Sequence, residues 1–257
     1  MKQAYCLNIF VFVLLISTSS FAKNLSARDI AEKVFHRDNG KNSIANAQMV
    51  LIDSNGKKRT RNLVHKRYKE NELERQLIRF LSPPDIDGTG FLTIEKKGWE
   101  TDQFLFLPAL RRTRRIVSSQ KDQRFVNSDF TYEDMERHPV DDYLHELKGS
   151  AELNKFKCYV LESKPKKGAN SQYSKTITLV HKDSFIPLFT KFFDKKNNFI
   201  KTYKVLKLKK IQGIWTEIIV SMTNHLKNHK TFIKTNKIVY NTDINKEDLS
   251  RKKLEHY

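Results

Sequence analysis

From Ala45 to Val239 the chain alternates apolar and polar residues in short runs, broken by turns rich in Lys, Asn, Asp and Gly. A period of two puts successive side chains on opposite faces of a strand. The runs are Ala45–Ile52, Lys57–Lys69, Glu72–Leu81, Gly90–Glu95, Trp99–Leu107, Arg111–Val117, Phe156–Ser163, Lys175–His181, Ile186–Asp194, Ile200–Ile211, Ile214–Thr223 and Thr231–Val239. Ser54-Asn55-Gly56 is a hairpin turn, and Pro83-Pro84-Asp85 is a break. Around ten strands at this spacing predict an antiparallel meander rather than an α/β layer fold. The fold class is mainly β with short α elements.

Two short helices flank the strands. Ser26 with Asp29 reads as a capping box, and Ala27, Ile30, Ala31 and Val34 recur at helical spacing before Asp38-Asn39-Gly40. The tail from Asn245 to Tyr257 forms a short charged helix carrying Leu249 and Leu254. Phe130–Gly149 is acidic and mixed, and reads as loops with one or two helical turns. A sheet of this size has one apolar face to cover. It either closes on itself or leaves a hollow suited to lipid.

Residues 1–22 carry Lys2, an apolar run over Leu7–Ile16 and small residues at Ser20 and Ala22, the pattern of a cleavable export signal. The run of about ten apolar residues falls short of the roughly 20 that cross a bilayer. No cysteine stands directly after Ala22 to take a lipid. The expected organisation is a signal over 1–22 and one domain over 23–257, working outside the cytoplasm with peripheral membrane contact only. The net charge is +19, of which only Lys2 leaves with the signal. Such a surface holds polyanions or anionic head groups near it. Export and the lack of a binding motif argue against nucleic acid. Cys158 stands alone after export and reads as a buried filler.

No nucleophile–base pair, P-loop, GxSxG or dinucleotide fingerprint is present. His225 and His229 are four apart without a Glu beside them, and Asp129–Asp134 lacks the oxygen spacing of a calcium loop. The expectation is a protein that is not an enzyme and carries no cofactor or metal. Arg111, Arg112, Arg114 and Arg115 are the densest charge cluster. On a strand, Arg112 and Arg114 share one face and Arg111 and Arg115 the other. Either they grip a phosphate or carboxylate, or at least one pairs internally with Asp129, Glu133 or Asp134. Gly88 and Gly90 serve either a positive φ, a close helix approach, or an ordinary turn.

Three stretches carry a family resemblance: Asp87-Gly88-Thr89-Gly90-Phe91-Leu92, the run from Phe104 through Leu107-Pro108 to Ile116, and Asn127-Ser128-Asp129-Phe130-Thr131-Tyr132-Glu133-Asp134. Together they resemble the outer membrane lipoprotein-sorting-protein-like family, related to the periplasmic lipoprotein carrier, over Ala27 to about Asp243. The resemblance implies an incomplete antiparallel β-barrel wrapped around helices, of the LolA/LolB-like kind, with an apolar interior. It implies a periplasmic protein that binds and transfers lipid or lipoprotein, accessory to an inner-membrane exporter or serving an outer-membrane acceptor. Expected ligand-binding residues are Leu92, Leu105, Leu107, Arg112, Arg114, Phe130 and Tyr132. The alternative is a non-enzymatic envelope interaction module without lipid cargo. Mass analysis of the exported protein is expected to find Lys23 at its amino end. Recovery of a chain that keeps Met1–Ala22 contradicts the signal.

Overall fold

A computed structural model describes residues 25–256, so the export signal lies outside the described residues. Helix α1 (Ala27–Phe35) begins at Ser26, whose hydroxyl accepts from the Asp29 amide while the Asp29 carboxylate accepts back, the reciprocal box read from the sequence. The strands are β1 (Asn42–Ile52), β2 (Lys58–Glu70), β3 (Leu73–Ser82), β4 (Gly90–Glu95), β5 (Thr101–Leu107), β6 (Arg112–Ile116), β7 (Tyr143–Leu153), β8 (Phe156–Pro165), β9 (Lys175–His181), β10 (Pro187–Phe193), β11 (Phe199–Ile211), β12 (Ile214–Asn224) and β13 (His229–Tyr240). Helix α2 (Arg251–Glu255) ends the described chain.

All the strands join one 13-stranded antiparallel sheet in the order β6-β5-β4-β3-β2-β1-β13-β12-β11-β10-β9-β8-β7. Each pair of neighbours is sequential except β1 and β13, which pair along nearly their whole length. The two ends, β6 and β7, are not paired, so the barrel stays open. They are consecutive in sequence, and the chain between them, residues 117–142, has to cross the gap. That segment contains single turns of 3-10 helix at Ser118–Gln120, Phe125–Asn127, Glu133–Met135 and Val140–Asp142.

The inner face of the sheet buries Ala47, Met49, Leu51, Leu63, Ile78, Phe80, Phe91 and Leu105. The crossing segment adds Phe125, Phe130 and Tyr132 to the same cluster. Phe125 is fully buried, with ring centroids 4.9 Å from Phe91 and 5.9 Å from Tyr132. Aromatic pairs at such separations add about 0.5–1.5 kcal/mol beyond the area they bury. Toward β7–β9, α1 lays Ile30 and Ala31 on Val140, Leu161 and Val180. The outer face of β3–β5 is covered by the tail, where Leu249 and Leu254 bury Leu77, Leu92, Phe104 and Phe106.

The structure has more strands than the sequence pattern suggested, and the added one lies in the segment read as loops. β7 is an edge strand with mostly exposed side chains, including Leu144. An exposed edge imposes no apolar alternation, so the period-two signal is absent there. The turns within 125–142 are short 3-10 turns, as the mixed pattern implied. Cys158 is buried and free, and burial pushes its thiol up.

The two glycines divide their roles. Gly88 has φ 74°, which favours glycine. Gly90 instead lies under the tail: a Cβ there would fall 2.6 Å from Leu254 Cδ1 and 2.7 Å from Arg79 Nη1. The Arg79 guanidinium is fixed by the carbonyls of Gly88 and Leu254, each 2.6 Å away. Gly90→Ala is therefore expected to cost about 1–3 kcal/mol by overpacking. Chemical denaturation checks this, and an unchanged midpoint contradicts the close approach.

Candidate functional site

The crossing segment is held at two places. At its carboxyl end the contacts are strong and buried. Arg137 forks onto Glu95, with Nε 2.7 Å from Oε1 and Nη2 2.6 Å from Oε2, and lies over the rings of Phe35 and Trp99. Asp134 pairs with Lys201, and Tyr173 donates to Asp134 Oδ1 at 2.7 Å. Burial, then the Asp134 charge, hold the Tyr173 phenol well above its ordinary range. The cation opposite Asp134 is thus a lysine ammonium.

Over Gln123–Tyr132 the contacts are fewer. Gln103 Nε2 donates to the Tyr132 carbonyl at 2.8 Å. Asp129 is buried; its Oδ2 accepts from Thr231 Oγ1 at 2.7 Å and lies 2.6 Å from His229 Nδ1. Arg61, from β2, donates from Nη1 to the Val126 carbonyl at 2.5 Å. Val126 has φ 42° and ψ 45°, a left-handed backbone that a β-branched residue adopts at a cost of about 1–3 kcal/mol. Strain therefore sits at the point where Arg61 holds the segment.

Beside this point an open cleft of about 740 Å³ enters the half-barrel. Ile86, Leu105, Leu107, Val126 and Tyr132 supply its apolar lining, and Arg61, Arg114, Arg124 and Lys227 its cations, against Asp85 and Asp122. Arg61 is 6% exposed, lies 5.9 Å from the centre of the Phe80 ring, and has no carboxylate in ion-pair contact among the described residues. Burial lowers its affinity for the proton, with Asp85 opposing. A buried guanidinium whose near partner is one carbonyl is a ready acceptor of an anion.

The expected site residues divide. Leu105, Leu107, Arg114 and Tyr132 line the cleft. Arg112 stands opposite Leu107 on β6 and shares the face of Arg114, but is not part of the lining. Phe130 lies beneath, in the inner cluster. Leu92 is on the other side of the sheet, fully buried under α2, so it does not share the hollow. Phe91, its neighbour, points inward instead. None of the clustered arginines pairs with Asp129, Glu133 or Asp134. Arg115 pairs across the outer face with Asp102, and Arg111 leaves the strand as a left-handed cap with φ 45°. Asp134 is taken by Lys201, Asp129 by His229 with Arg124 at 3.7 Å, and Glu133 accepts from the Gln172 amide at 2.8 Å. Arg61, Ile86, Arg124 and Lys227 were not singled out by the sequence, because they reach the cleft only through long-range pairing. His225 bonds Thr202 Oγ1 at 2.8 Å, on the opposite side of a hairpin from His229.

The three family-like stretches meet here. Thr89 comes from the first, Leu105, Leu107 and Arg114 from the second, and Asn127 and Tyr132 from the third. An open, mainly-β antiparallel sheet of this form, with short helices, has the LolA/LolB-like fold of the periplasmic lipoprotein-sorting superfamily. The family whose model matches residues 72–256 carries the description "uncharacterized protein", and the chain belongs to that family. A structure of a candidate outer membrane lipoprotein-sorting protein domain from Vibrio parahaemolyticus is 29% identical, with a TM-score of 0.84, over 89% of this chain and 98% of that one. A DUF1329 family protein from Desulfovibrio piger is 29% identical, with a TM-score of 0.83, over 89% of this chain and 97% of that one. A LolA superfamily protein from Nitrosomonas europaea is 16% identical, with a TM-score of 0.70, over 89% of this chain and 99% of that one; at that identity the likeness is one of fold. None of the curated proteins matches.

Removing the Asp129 charge tests how the segment is held. Asp129→Asn is expected to lower stability by about 1–3 kcal/mol and to speed amide exchange over Val126–Phe130. Unchanged exchange there contradicts the hold described.

Proposed function

We propose that the protein binds and hands on an acylated envelope molecule, a lipid or a lipoprotein, by reversible burial of its chain. The observation that carries this reading is the way the inner apolar face is covered. Its cover over β3–β5 is the chain's own segment Gln123–Tyr132, held by a few polar contacts beside an open, partly apolar cleft. An acyl chain entering along Leu105 and Leu107 replaces the contacts of Phe125, Phe130 and Tyr132. Each buried methylene contributes about 0.8 kcal/mol. A chain of about fourteen carbons thus offers on the order of 10 kcal/mol before ordering costs and the loss of the native cover.

Arg61 is the control point in this reading. A phosphate or carboxylate of the cargo competes with the Val126 carbonyl for its guanidinium. Once the bond breaks, the strained backbone at Val126 relaxes and the segment swings on its fixed end at Asp134 and Arg137. Arg114 orients the head group from the rim, with Arg112 beside it. Residues 23–257 act as one carrier domain. A membrane exporter supplies the cargo and an outer-membrane acceptor takes it. The action makes no covalent bond.

The same filled interior supports a second reading, an envelope interaction module without cargo. Native mass spectrometry and uptake of a fluorescent fatty-acyl probe separate the two. Carriage predicts co-purified lipid or acylated peptide, and Arg61→Leu is expected to speed probe uptake by at least about tenfold, as loss of a hydrogen bond to a charged group implies. A wild type and an Arg61→Leu variant that both stay empty and take up no probe favour the module.

A further inference from the structure

The tail covers the outer face of the sheet over β3–β5 and over the Tyr68 end of β2. Over the rest of β2 and β1, and over β13, β12, β11 and β10, no helix or tail covers it, and its chemistry is one-sided. Strand register places Lys204, Ser221, Phe232, Val50 and Thr60 side by side in one row. Lys207, Ile219, Lys234, Gln48 and Asn62 form the next. On the other side runs a row of Thr202, Thr223, Lys230, Ile52 and Lys58. Residues directly opposite in a sheet share a face. This face is the outer one, since Met49, Ile233 and Val220 alternate with it and pack inward.

Those six strands contain two carboxylates, Glu70 and Glu217. Glu70 closes β2 and meets Lys246. Glu217 meets Arg37, with Tyr203 donating to it, and Tyr203 packs with the inner cluster. The bare outer face therefore has no counter-charge of its own. Among the described residues, Lys204, Lys207, Lys230 and Lys234 form no ion pair with any carboxylate. Lys204 and Lys230 lower the proton affinity of His225, behind the larger effect of its burial. Between these lysines sit half-buried Val50, Ile52, Ile219 and Phe232. Lysine stems that lie over apolar neighbours with their ammonium groups outward suit a boundary between water and hydrocarbon.

We propose that this outer face is a docking surface for an anionic lipid bilayer, distinct from the cleft. Charge complementarity selects the partner. A leaflet rich in phosphate head groups supplies the missing negative charge, and the interleaved aliphatic and phenyl groups enter its head-group layer. A soluble polyanion would use the lysines and leave Phe232 and Ile219 idle. The placement also has a geometric consequence: with the outer face on a membrane, the inner side and its cleft, where Lys227 of the β12–β13 hairpin stands, stay accessible at the margin. The inference does not depend on what the cleft carries.

Co-sedimentation of the full mature chain with vesicles tests it. Vesicles of phosphatidylethanolamine and phosphatidylglycerol at about 3:1 are compared with pure phosphatidylcholine at low salt and at 0.5 M salt. Binding is expected to the anionic vesicles alone, and to fall at least tenfold in high salt, where the Debye length shrinks to a few ångströms. The variant K204Q/K207Q/K230Q/K234Q is expected to bind about 100-fold more weakly, given roughly 1 kcal/mol for each lysine near a charged surface less screening. The variant K97Q/K155Q/K167Q/K252Q removes the same charge elsewhere and is expected to stay within about threefold. Phe232→Ser is expected to weaken vesicle binding several-fold while leaving heparin binding unchanged, and it serves alone if the fourfold variant does not fold. No binding to anionic vesicles, equal losses in both fourfold variants, or a Phe232→Ser protein with undiminished vesicle affinity each overturns the proposal. The last result assigns the face to a soluble polyanion.

Discussion

The apolar inner face of an unclosed sheet must be covered by something, and every other feature follows from how this chain does it. β6 and β7 end the sheet without meeting, so there is no ladder to close the barrel. The residues that join them therefore cross the opening and fold inward. Phe125, Phe130 and Tyr132 place aromatic rings where a closed barrel would place its own opposite wall. The hydrophobic effect is non-directional and does not distinguish these rings from an acyl chain. A cover of the chain's own making is thus exchangeable in a way that a sealed core is not.

In the carriage proposed above, the uneven hold on the segment is what would make exchange controllable. Its far end is clamped by the Arg137–Glu95 fork and the buried Asp134–Lys201 pair. The part over the cleft is tied by Arg61, Gln103, the Gln172 side-chain amide on Thr131 and the Asp129–His229–Thr231 cluster, and it includes a β-branched residue in a left-handed backbone. In the proposed carriage this is the part that moves, and the buried rings of Phe125, Phe130 and Tyr132 are what the cargo has to replace. Arg61 is the pivot of this arrangement because a buried cation bonded to a carbonyl can trade that carbonyl for an anion.

The sequence disclosed these features in proportion to how local they are. The capping box at Ser26, the Asn55-Gly56 turn, Gly90–Glu95 and Lys175–His181 are set by neighbours, and the structure keeps them as read. β7 was missed because an exposed edge has no reason to alternate. Leu105, Leu107, Arg114 and Tyr132 reach the cleft, since three family-like stretches converge there. Leu92, expected in the hollow, faces outward and Phe91 takes the inner side, because one residue of register decides which face a side chain takes. Arg61 and Lys227 stood in ordinary basic runs, and only the pairing of β1 with both β2 and β13 brings them to one opening.

Differential hydrogen exchange on the mature protein, with and without a saturating acylated peptide, tests the central claim most directly. Exchange by the amides of Gln123–Tyr132 should quicken on binding, while Leu105 and Phe91 on the strands beneath stay protected and the Asp134–Arg137 end does not change. A segment whose protection stays the same or rises when the acyl chain is bound would contradict the account, because the native cover would then not be what the cargo displaces.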